Sequence, residues 1–171
     1  MPAKRMNLTA FYFPPGAHAT GWRLPDAIPE SDMGFKHYVH LAQTAERGKM
    51  DCIFFQDTAA VGRSEGIGRR DRSLEGQTHV ARLEPFQMLP ALAMLTQHIG
   101  LVATGTTTYN EPFHIARRYA TLDHISNGRA GWNLVTSQIE DEAQNFGLDA
   151  HVEHGLRYER ASEFYDVVVG L

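Results

Sequence analysis

The sequence is poor in cysteine, in excess charge and in long apolar runs. Cys52 is the only cysteine among 171 residues, which excludes an internal disulfide and a cysteine-based zinc site. Sixteen basic residues against twenty acidic ones give a net charge of −4, so no basic field favours nucleic acid. No apolar run reaches the roughly 18 residues that cross a membrane, and the first residues lack a signal-peptide pattern. We therefore expect a cytoplasmic protein that binds neither nucleic acid nor a membrane.

Several catalytic signatures are absent as well. The sequence contains no HExxH, Walker A or GxGxxG motif, which argues against the metal-dependent hydrolases and nucleotide-binding proteins that carry them. His151 and His154 in "HVEH" could pair on a metal with Glu153, but no other cluster of ligands supports them. We expect no metal site, and a metal enzyme or hydrolase remains only a minor alternative.

The apolar pattern predicts strands that alternate with helices. The predicted strands cover residues 7–13, 51–57, 100–108 and 132–135. The predicted helices cover residues 35–47, 84–98, 115–126 and 156–169. Pro90 lies inside the second helix and fits only if that helix begins late or bends. Because the strands are almost continuously apolar, the pattern indicates an α/β fold with a parallel sheet covered by helices.

The predicted connections differ in length at the two edges of the sheet. Links from a helix to the next strand are short, whereas three links from a strand to the next helix are long: 14–34, 57–84 and 138–154. All three leave the carboxyl ends of strands, where α/β folds bind their ligands. Loops longer than about 15 residues usually serve a function or are disordered, so we expect the ligand site at this edge.

Polar side chains collect where the predicted strands end. The second strand ends at Gln56-Asp57, the third near Thr104 to Thr108, and the fourth at Thr136-Ser137, while the first ends at Phe13-Pro14. Asp57 and Ser137 could simply cap the turns that follow them. Taken together with His and Tyr side chains farther along, these groups suit a polar, phosphate-bearing cofactor that supplies the reactivity itself.

Six collinear segments carry a resemblance to one family. They are "ERGKMDCIFFQD" (46–57), "LEP" (83–85), "HIGLVATGTTTYNEPFHIAR" (98–117), "HIARRYATLDHISNGRAGWNLVTS" (114–137), "EAQNFG" (142–147) and "HVEHGLRYERASEFYDVV" (151–168). Together they resemble the flavin-dependent monooxygenases of the nitrilotriacetate and dibenzothiophene-sulfone type, within the bacterial-luciferase-like superfamily. The resemblance extends from about residue 7 to residue 169.

The resemblance implies a (β/α)8 TIM barrel that holds FMN at the carboxyl ends of its strands. Such enzymes receive reduced FMN from a separate flavin reductase and use O2 to oxygenate a small organic substrate, which the sequence does not identify. By position, Asp57 and Thr104 would lie beside the flavin ring, and His154 and Tyr158 would reach its ribityl and phosphate part. The full set of expected cofactor-binding residues is Asp57, Thr104, Asn133, Ser137, His154 and Tyr158.

The length departs from the family, because a (β/α)8 barrel typically needs about 250 residues. We therefore expect residues 1–171 to form a single partial barrel, the amino-terminal half with four βα units, truncated after the fourth. Three possibilities remain open from the sequence. The chain is a truncated or split product, or it closes a barrel with a second copy or a complementary half, or it folds alone as an open domain. In the last case it would be a non-catalytic remnant that binds flavin weakly or not at all.

Overall fold

The computed structural model describes residues 5–13, 16, 18, 21–28, 31–60 and 82–171. Within these residues, strands and helices alternate from β1 to β4, and two helices, α4 and α5, follow β4. Their bounds are β1 Thr9–Tyr12, α1 Phe35–Arg47, β2 Cys52–Phe55, α2 Pro85–Ala93, β3 Gly100–Thr106, α3 Pro112–Ser126, β4 Ala130–Val135, α4 Glu140–Asn145 and α5 His154–Gly170. The strands form one parallel sheet in the order β1-β2-β3-β4, and a 3₁₀ turn, Gly21–Arg23, lies between β1 and α1. The predicted α/β fold with a parallel sheet is confirmed.

The outer face of the sheet holds the hydrophobic core. Side chains of a strand alternate between two faces, so every second residue of β2 and β3 points toward the helices. The fully or almost fully buried members of this core include Ile53, Phe55, Leu101 and Ala103 from the strands and Tyr38, Ala42, Leu89, Leu92 and Leu122 from the helices. The helices therefore cover this face as the continuous apolar strands predicted.

The other side chains of the same strands form the inner face of the sheet. Phe11 of β1 pairs in register with Phe54 of β2, and their rings stack with centroids 5.0 Å apart. Phe11 is nevertheless 51% exposed. Farther along, Thr104 pairs in register with Asn133, which places both on this inner face near the carboxyl ends of β3 and β4.

At the amino-terminal edge of the sheet, Glu46 of α1 binds the loop between α2 and β3. Its Oε1 accepts hydrogen bonds from the backbone N–H groups of Gln97, His98 and Ile99 at 2.8, 2.6 and 3.1 Å. Burial, the largest single influence, raises the pKa of Glu46, but the three N–H groups and the nearby His98 outweigh it and leave the pKa lowered. The loop thus wraps around a carboxylate instead of continuing as a helix.

Arg129 binds the same loop from the opposite side. Its guanidinium donates to the carbonyl oxygens of Ala93, Ile99 and Ser126 at 2.9, 2.9 and 2.7 Å. It also donates to Thr96, to the hydroxyl at 2.9 Å and to the carbonyl at 3.2 Å. One side chain therefore satisfies backbone oxygens at the ends of α2 and α3 and at the start of β3.

Three sequence predictions about helices are wrong in detail. The second helix ends at Ala93 and not at residue 98, because Glu46 and Arg129 capture the groups that would have continued it. The connection 138–154 is not a plain loop, since it contains α4. The last helix also begins at His154, two residues earlier than predicted. Of the predicted loop 57–84, residues 61–81 lie outside the described residues, as do parts of loop 14–34.

Candidate functional site

A cavity of about 830 Å³ lies at the carboxyl ends of β2, β3 and β4, and we call it the strand-tip cavity. This volume is in the range of small-molecule and cofactor sites. The residues predicted to bind a cofactor all line it: Asp57, Thr104, Asn133, Ser137, His154 and Tyr158. The end of β1 contributes less, since Phe13 lies against the Arg82 guanidinium at 5.7 Å and is not part of the wall.

Thr104 and Asn133 form a short hydrogen-bond chain on the inner face. Thr104 Oγ1 donates to the carbonyl of Phe55 at 2.9 Å, and Asn133 Nδ2 donates to Thr104 Oγ1 at 3.1 Å. The single hydroxyl proton of Thr104 is already used, so Thr104 can only accept from Asn133, and this fixes which way the amide points. The Asn133 carbonyl oxygen and its second N–H remain for a ligand in the cavity.

Ser137 follows β4 in an unusual backbone conformation. Its φ is +61°, in the left-handed region that non-glycine residues rarely adopt, and its side chain is buried. Ser137 Oγ lies 2.9 Å from Thr106 Oγ1 and 3.1 Å from Glu142 Oε1, and its carbonyl accepts from Arg157 Nη1. Both ends of the residue are therefore held, which keeps a strained conformation at the wall of the cavity.

Glu142 of α4 is the most strongly buried acid of the site, with 3% of its surface exposed. Oε1 accepts from the backbone N–H of Ala59 at 2.9 Å, and Oε2 accepts from the N–H groups of Gln138 and Ile139 at 3.2 and 3.1 Å. Ile139 is the N-cap residue of α4 and Glu142 is the third residue of that helix, so the carboxylate reaches back over the first turn. Asn145 Nδ2 donates to the Ala59 carbonyl at 2.7 Å, so α4 holds Ala59 by both backbone groups.

Asp57, at the end of β2, lies among other carboxylates. Its Oδ1 accepts from the Thr58 N–H at 2.9 Å. Burial raises the pKa of Asp57 to about 6; the carboxylates of Glu84 and Glu142 also raise it, while the Thr58 N–H and Arg82 lower it. Asp57 thus changes its charge close to neutral pH, a property common at functional sites.

The first turn of α5 supplies hydrogen-bond donors. His154 and Tyr158 lie one turn apart with ring centroids separated by 4.9 Å, and Arg157 stands between them in sequence. Within the part of the chain that the structure describes, the buried Arg157 Nε has no hydrogen-bond partner. Glu153 caps the helix by accepting from the Leu156 N–H at 2.9 Å, so side chains rather than free backbone N–H groups face the cavity.

The arrangement of "HVEH" does not produce a metal site. His151 Nδ1 lies 3.4 Å from the Tyr109 hydroxyl, and Glu153 serves as the helix cap. Among the described residues, no group of three His, Cys, Asp or Glu side chains is arranged to hold a metal ion. In the same described ranges, no helix has the length and apolar composition needed to cross a membrane.

Among the wall residues that sequence reasoning missed, four are important for the site. These are Glu142, Arg157 and an aromatic pair, Tyr109 and Phe146, whose rings stack with centroids 4.4 Å apart. Glu142 and Phe146 belong to "EAQNFG", and Arg157 belongs to "HGLRYER". In the sequence, these segments stand out only through their resemblance to a family. Their positions depend on contacts between loops far apart in the chain.

Comparisons with known proteins identify relatives of this chain. A family model described as "Luciferase-like monooxygenase" matches residues 12–171. Nitrilotriacetate monooxygenase component A of Aminobacter aminovorans is 51% identical over 170 residues, which cover 98% of this chain and 38% of that protein. Dibenzothiophene-sulfone monooxygenase of Rhodococcus erythropolis is 45% identical over 168 residues, covering 96% of this chain and 37% of that protein. The resemblance stated from the sequence motifs is confirmed.

The chain is also similar to a solved structure of a flavin-containing protein. Riboflavin lyase, solved with a modified FMN and riboflavin, superposes with a TM-score of 0.81 at 33% identity, covering 96% of this chain and 37% of that chain. In each comparison this chain spans somewhat more than a third of the matched protein's length, and the match lies in its amino-terminal part.

Proposed function

The chain belongs to the luciferase-like monooxygenase family, and from that premise we propose that its strand-tip cavity binds FMN for a two-component monooxygenase. In this proposal a separate flavin reductase supplies reduced FMN, and the substrates are O2 and a small organic molecule. Because the chain spans about 38% of its curated relatives, we propose that it provides the FMN-binding wall of such an enzyme.

One observation carries the proposal: the cavity separates hydrogen-bond acceptors from hydrogen-bond donors. The strand ends contribute a carboxyl group, an amide oxygen and hydroxyl oxygens, from Asp57, Asn133, Thr104 and Ser137. The first turn of α5 contributes a guanidinium, an imidazole and a phenol. FMN has the complementary arrangement, with N–H and hydroxyl groups on its ring and ribityl chain and a phosphate at the far end.

The donors of α5 suit the phosphate. Arg157 Nε is buried without a partner among the described residues, and an unsatisfied buried donor is costly unless a ligand pairs with it. A guanidinium and a phosphate form strong charge-assisted hydrogen bonds, to which Tyr158 and His154 would add.

The strand-tip acceptors suit the ring and the ribityl chain. Asn133 offers both an acceptor and a donor in a fixed orientation, and Asp57 would accept from a ring N–H while it is ionised. When bound and reduced, FMN supplies the electrons with which O2 is activated for transfer of one oxygen atom to the substrate. The protein's own task is to position the flavin and to exclude water, and the stacked Tyr109 and Phe146 give the wall an apolar surface for the substrate.

Flavin titrations of the purified chain test the binding. We expect saturable binding of FMN, followed by fluorescence, and weaker binding of riboflavin, which lacks the phosphate. Tyr158→Phe should weaken FMN binding by about tenfold or more, the value of one hydrogen bond to a charged group, and leave riboflavin binding unchanged. Tyr165→Phe is the matched control, because Tyr165 lies on the same helix outside the cavity wall.

The activity is tested in a full-length setting. A chimera in which this chain replaces the matched 170 residues of the Aminobacter enzyme should consume O2 and nitrilotriacetate when reduced FMN is supplied. If the wild-type chain shows no saturable FMN binding and a folded chimera shows none either, the proposed function is wrong.

A further inference from the structure

We propose that Glu142 is a positioning residue that decides which atoms of a ligand Ser137 can bind. The proposal is that Glu142 accepts the hydrogen bond of the Ser137 hydroxyl, so that Ser137 can bind a ligand in the cavity only as a hydrogen-bond acceptor. This inference rests on the proposed function, because the ligand in question is the flavin. Neither residue type is reactive here, and no covalent step is involved.

The direction of the hydrogen bonds follows from counting protons. A serine hydroxyl carries one proton, and a carboxylate can only accept. Ser137 Oγ donates toward Glu142 Oε1 at 3.1 Å and toward Thr106 Oγ1 at 2.9 Å, so its single proton goes to an acceptor of the protein in either case. Thr106 Oγ1 already accepts from the Thr108 N–H at 3.2 Å, and of the two acceptors the carboxylate forms the stronger, charge-assisted bond. The lone pairs of Ser137 Oγ are then left for the cavity.

The carboxylate of Glu142 is held firmly enough to impose this direction. Besides the Ser137 hydroxyl, the carboxylate accepts from three backbone N–H groups, so both of its oxygens are engaged. Only 3% of the residue is exposed to solvent. A rotation of Glu142 would leave buried N–H groups unpaired, which costs more than the rotation of a free hydroxyl. Ser137 itself is fixed by its carbonyl bond from Arg157 and by its left-handed backbone.

The same carboxylate joins two loops across the end of β3. Ala59 follows β2 and Ser137 follows β4, and these strands are not neighbours in the sheet. Glu142 Oε1 binds both, and Asn145 holds the Ala59 carbonyl as well. The separation between the loops, and with it the width of the cavity above β3, therefore depends on one carboxylate.

The consequence is a statement about ligand chemistry. A Ser137 that only accepts cannot bind a phosphate oxygen, since that bond needs a donor from the protein. It selects a donor, either a ring N–H or a ribityl hydroxyl. Both groups occur in FMN and in riboflavin, so a contact with Ser137 must contribute equally to the affinity for the two flavins.

The experiment compares FMN with riboflavin in four forms of the chain: wild type, S137A, E142Q and the double variant. We expect S137A to weaken both flavins by the same factor, up to about tenfold, as loss of one hydrogen bond requires. E142Q should weaken both flavins similarly, and the double variant should be no weaker than the weaker single variant, because Glu142 acts through Ser137. E140Q is the charge-matched control and should bind like wild type, because Glu140 lies in the same first turn of α4 but is exposed, and a Gln oxygen there can still accept from the His151 N–H.

Two results would overturn the proposal. A loss in S137A that affects FMN but not riboflavin would mean that Ser137 faces the phosphate as a donor. Independent, additive losses in S137A and E142Q would mean that Glu142 does not act through Ser137. If E142Q fails to fold, as judged by its thermal unfolding, the S137A comparison between the two flavins still decides the direction of the hydrogen bond.

Amide hydrogen exchange without flavin separates this proposal from the proposed function. In E142Q the N–H groups of Ala59, Gln138 and Ile139 should exchange at least severalfold faster, with the Ala103 N–H of β3 as an unchanged reference. Unchanged exchange at all three would refute the role of Glu142, whatever flavin does. If the three N–H groups exchange faster in E142Q but the wild-type chain binds neither flavin, only the proposed function is refuted.

Discussion

Replacing Asp57 by Asn should stabilise the protein above pH 6 and remove part of its pH dependence. Asp57 is half-buried at the end of β2 near the carboxylates of Glu84 and Glu142, and this burial raises its pKa from an ordinary 3.8 to about 6. The Asn side chain has nearly the same shape and keeps an oxygen that can accept from the Thr58 N–H. The substitution therefore removes the charge and little else.

The sign and size of the effect follow from the pKa. Between pH 3.8 and about 6 the folded chain binds more protons at Asp57 than the unfolded chain, so this residue's contribution to stability falls as pH rises through that window. Above pH 6 the loss is complete and constant. A shift of about two units corresponds to about 3 kcal/mol, which we reduce to about 1–2 kcal/mol because the carboxyl is still partly exposed to solvent.

Urea unfolding of wild type and D57N at several pH values between 3.5 and 8 measures this. At pH 8 the D57N midpoint should be higher by about 0.5–1 M urea, and the difference should vanish toward pH 3.5. Asp149→Asn is the control, since Asp149 is exposed and its loss changes the net charge equally. A D57N protein that is less stable than wild type at pH 8, or a D149N protein with the same gain, would refute the reasoning.

Two further substitutions test how the sheet is held. Arg129→Ala should lower the free energy of unfolding by about 3 kcal/mol or more, because it leaves several backbone oxygens without their donor, and Arg129→Lys should recover only part; urea unfolding checks both. Gly105→Ala should cost about 1–3 kcal/mol, since its Cβ would lie 2.9 Å from Trp132 Nε1 and 3.2 Å from the Tyr119 hydroxyl. Gly170→Ala, whose Cβ would meet nothing within 4 Å, is the control, and equal stability of the two alanine variants would contradict the packing argument.

The fold was predictable because its signals are local. An apolar run such as "CIFF" predicts a buried strand without any information from the rest of the chain. The end of α3 is likewise predicted by Asn127-Gly128, where Asn127 adopts φ +57° at the C-cap. The end of α2 was not predictable. No glycine or proline lies between Ala93 and Gly100 to end the helix. The groups that end it, from Glu46 and Arg129, come from other parts of the chain.

The site divides along the same line. Asp57, Thr104 and Ser137 were predicted because parallel strands end at one edge of the sheet, and the family resemblance added Asn133, His154 and Tyr158. Glu142 was missed because "IEDEAQ" has the composition of a solvent-exposed turn, and its N-cap residue, Ile139, lacks the side-chain oxygen that signals a capping box. Its partner Ala59 lies 83 residues away in sequence, a contact that no local pattern encodes.

Two carboxylates of the cavity, Glu142 and Asp57, show why a substitution that stabilises this edge of the sheet is expected to weaken ligand binding. Glu142 is satisfied by four donors, so its burial is compensated and its position is rigid. Asp57 accepts from Thr58 alone among the bonds that the structure shows for the described residues, and its ionisation is therefore costly. Without a ligand, an Asn at position 57 would be the more stable choice, whereas a ligand that supplies the missing donor would offset the cost of ionising Asp57. The stabilisation by D57N and the affinity for flavin should consequently change in opposite directions.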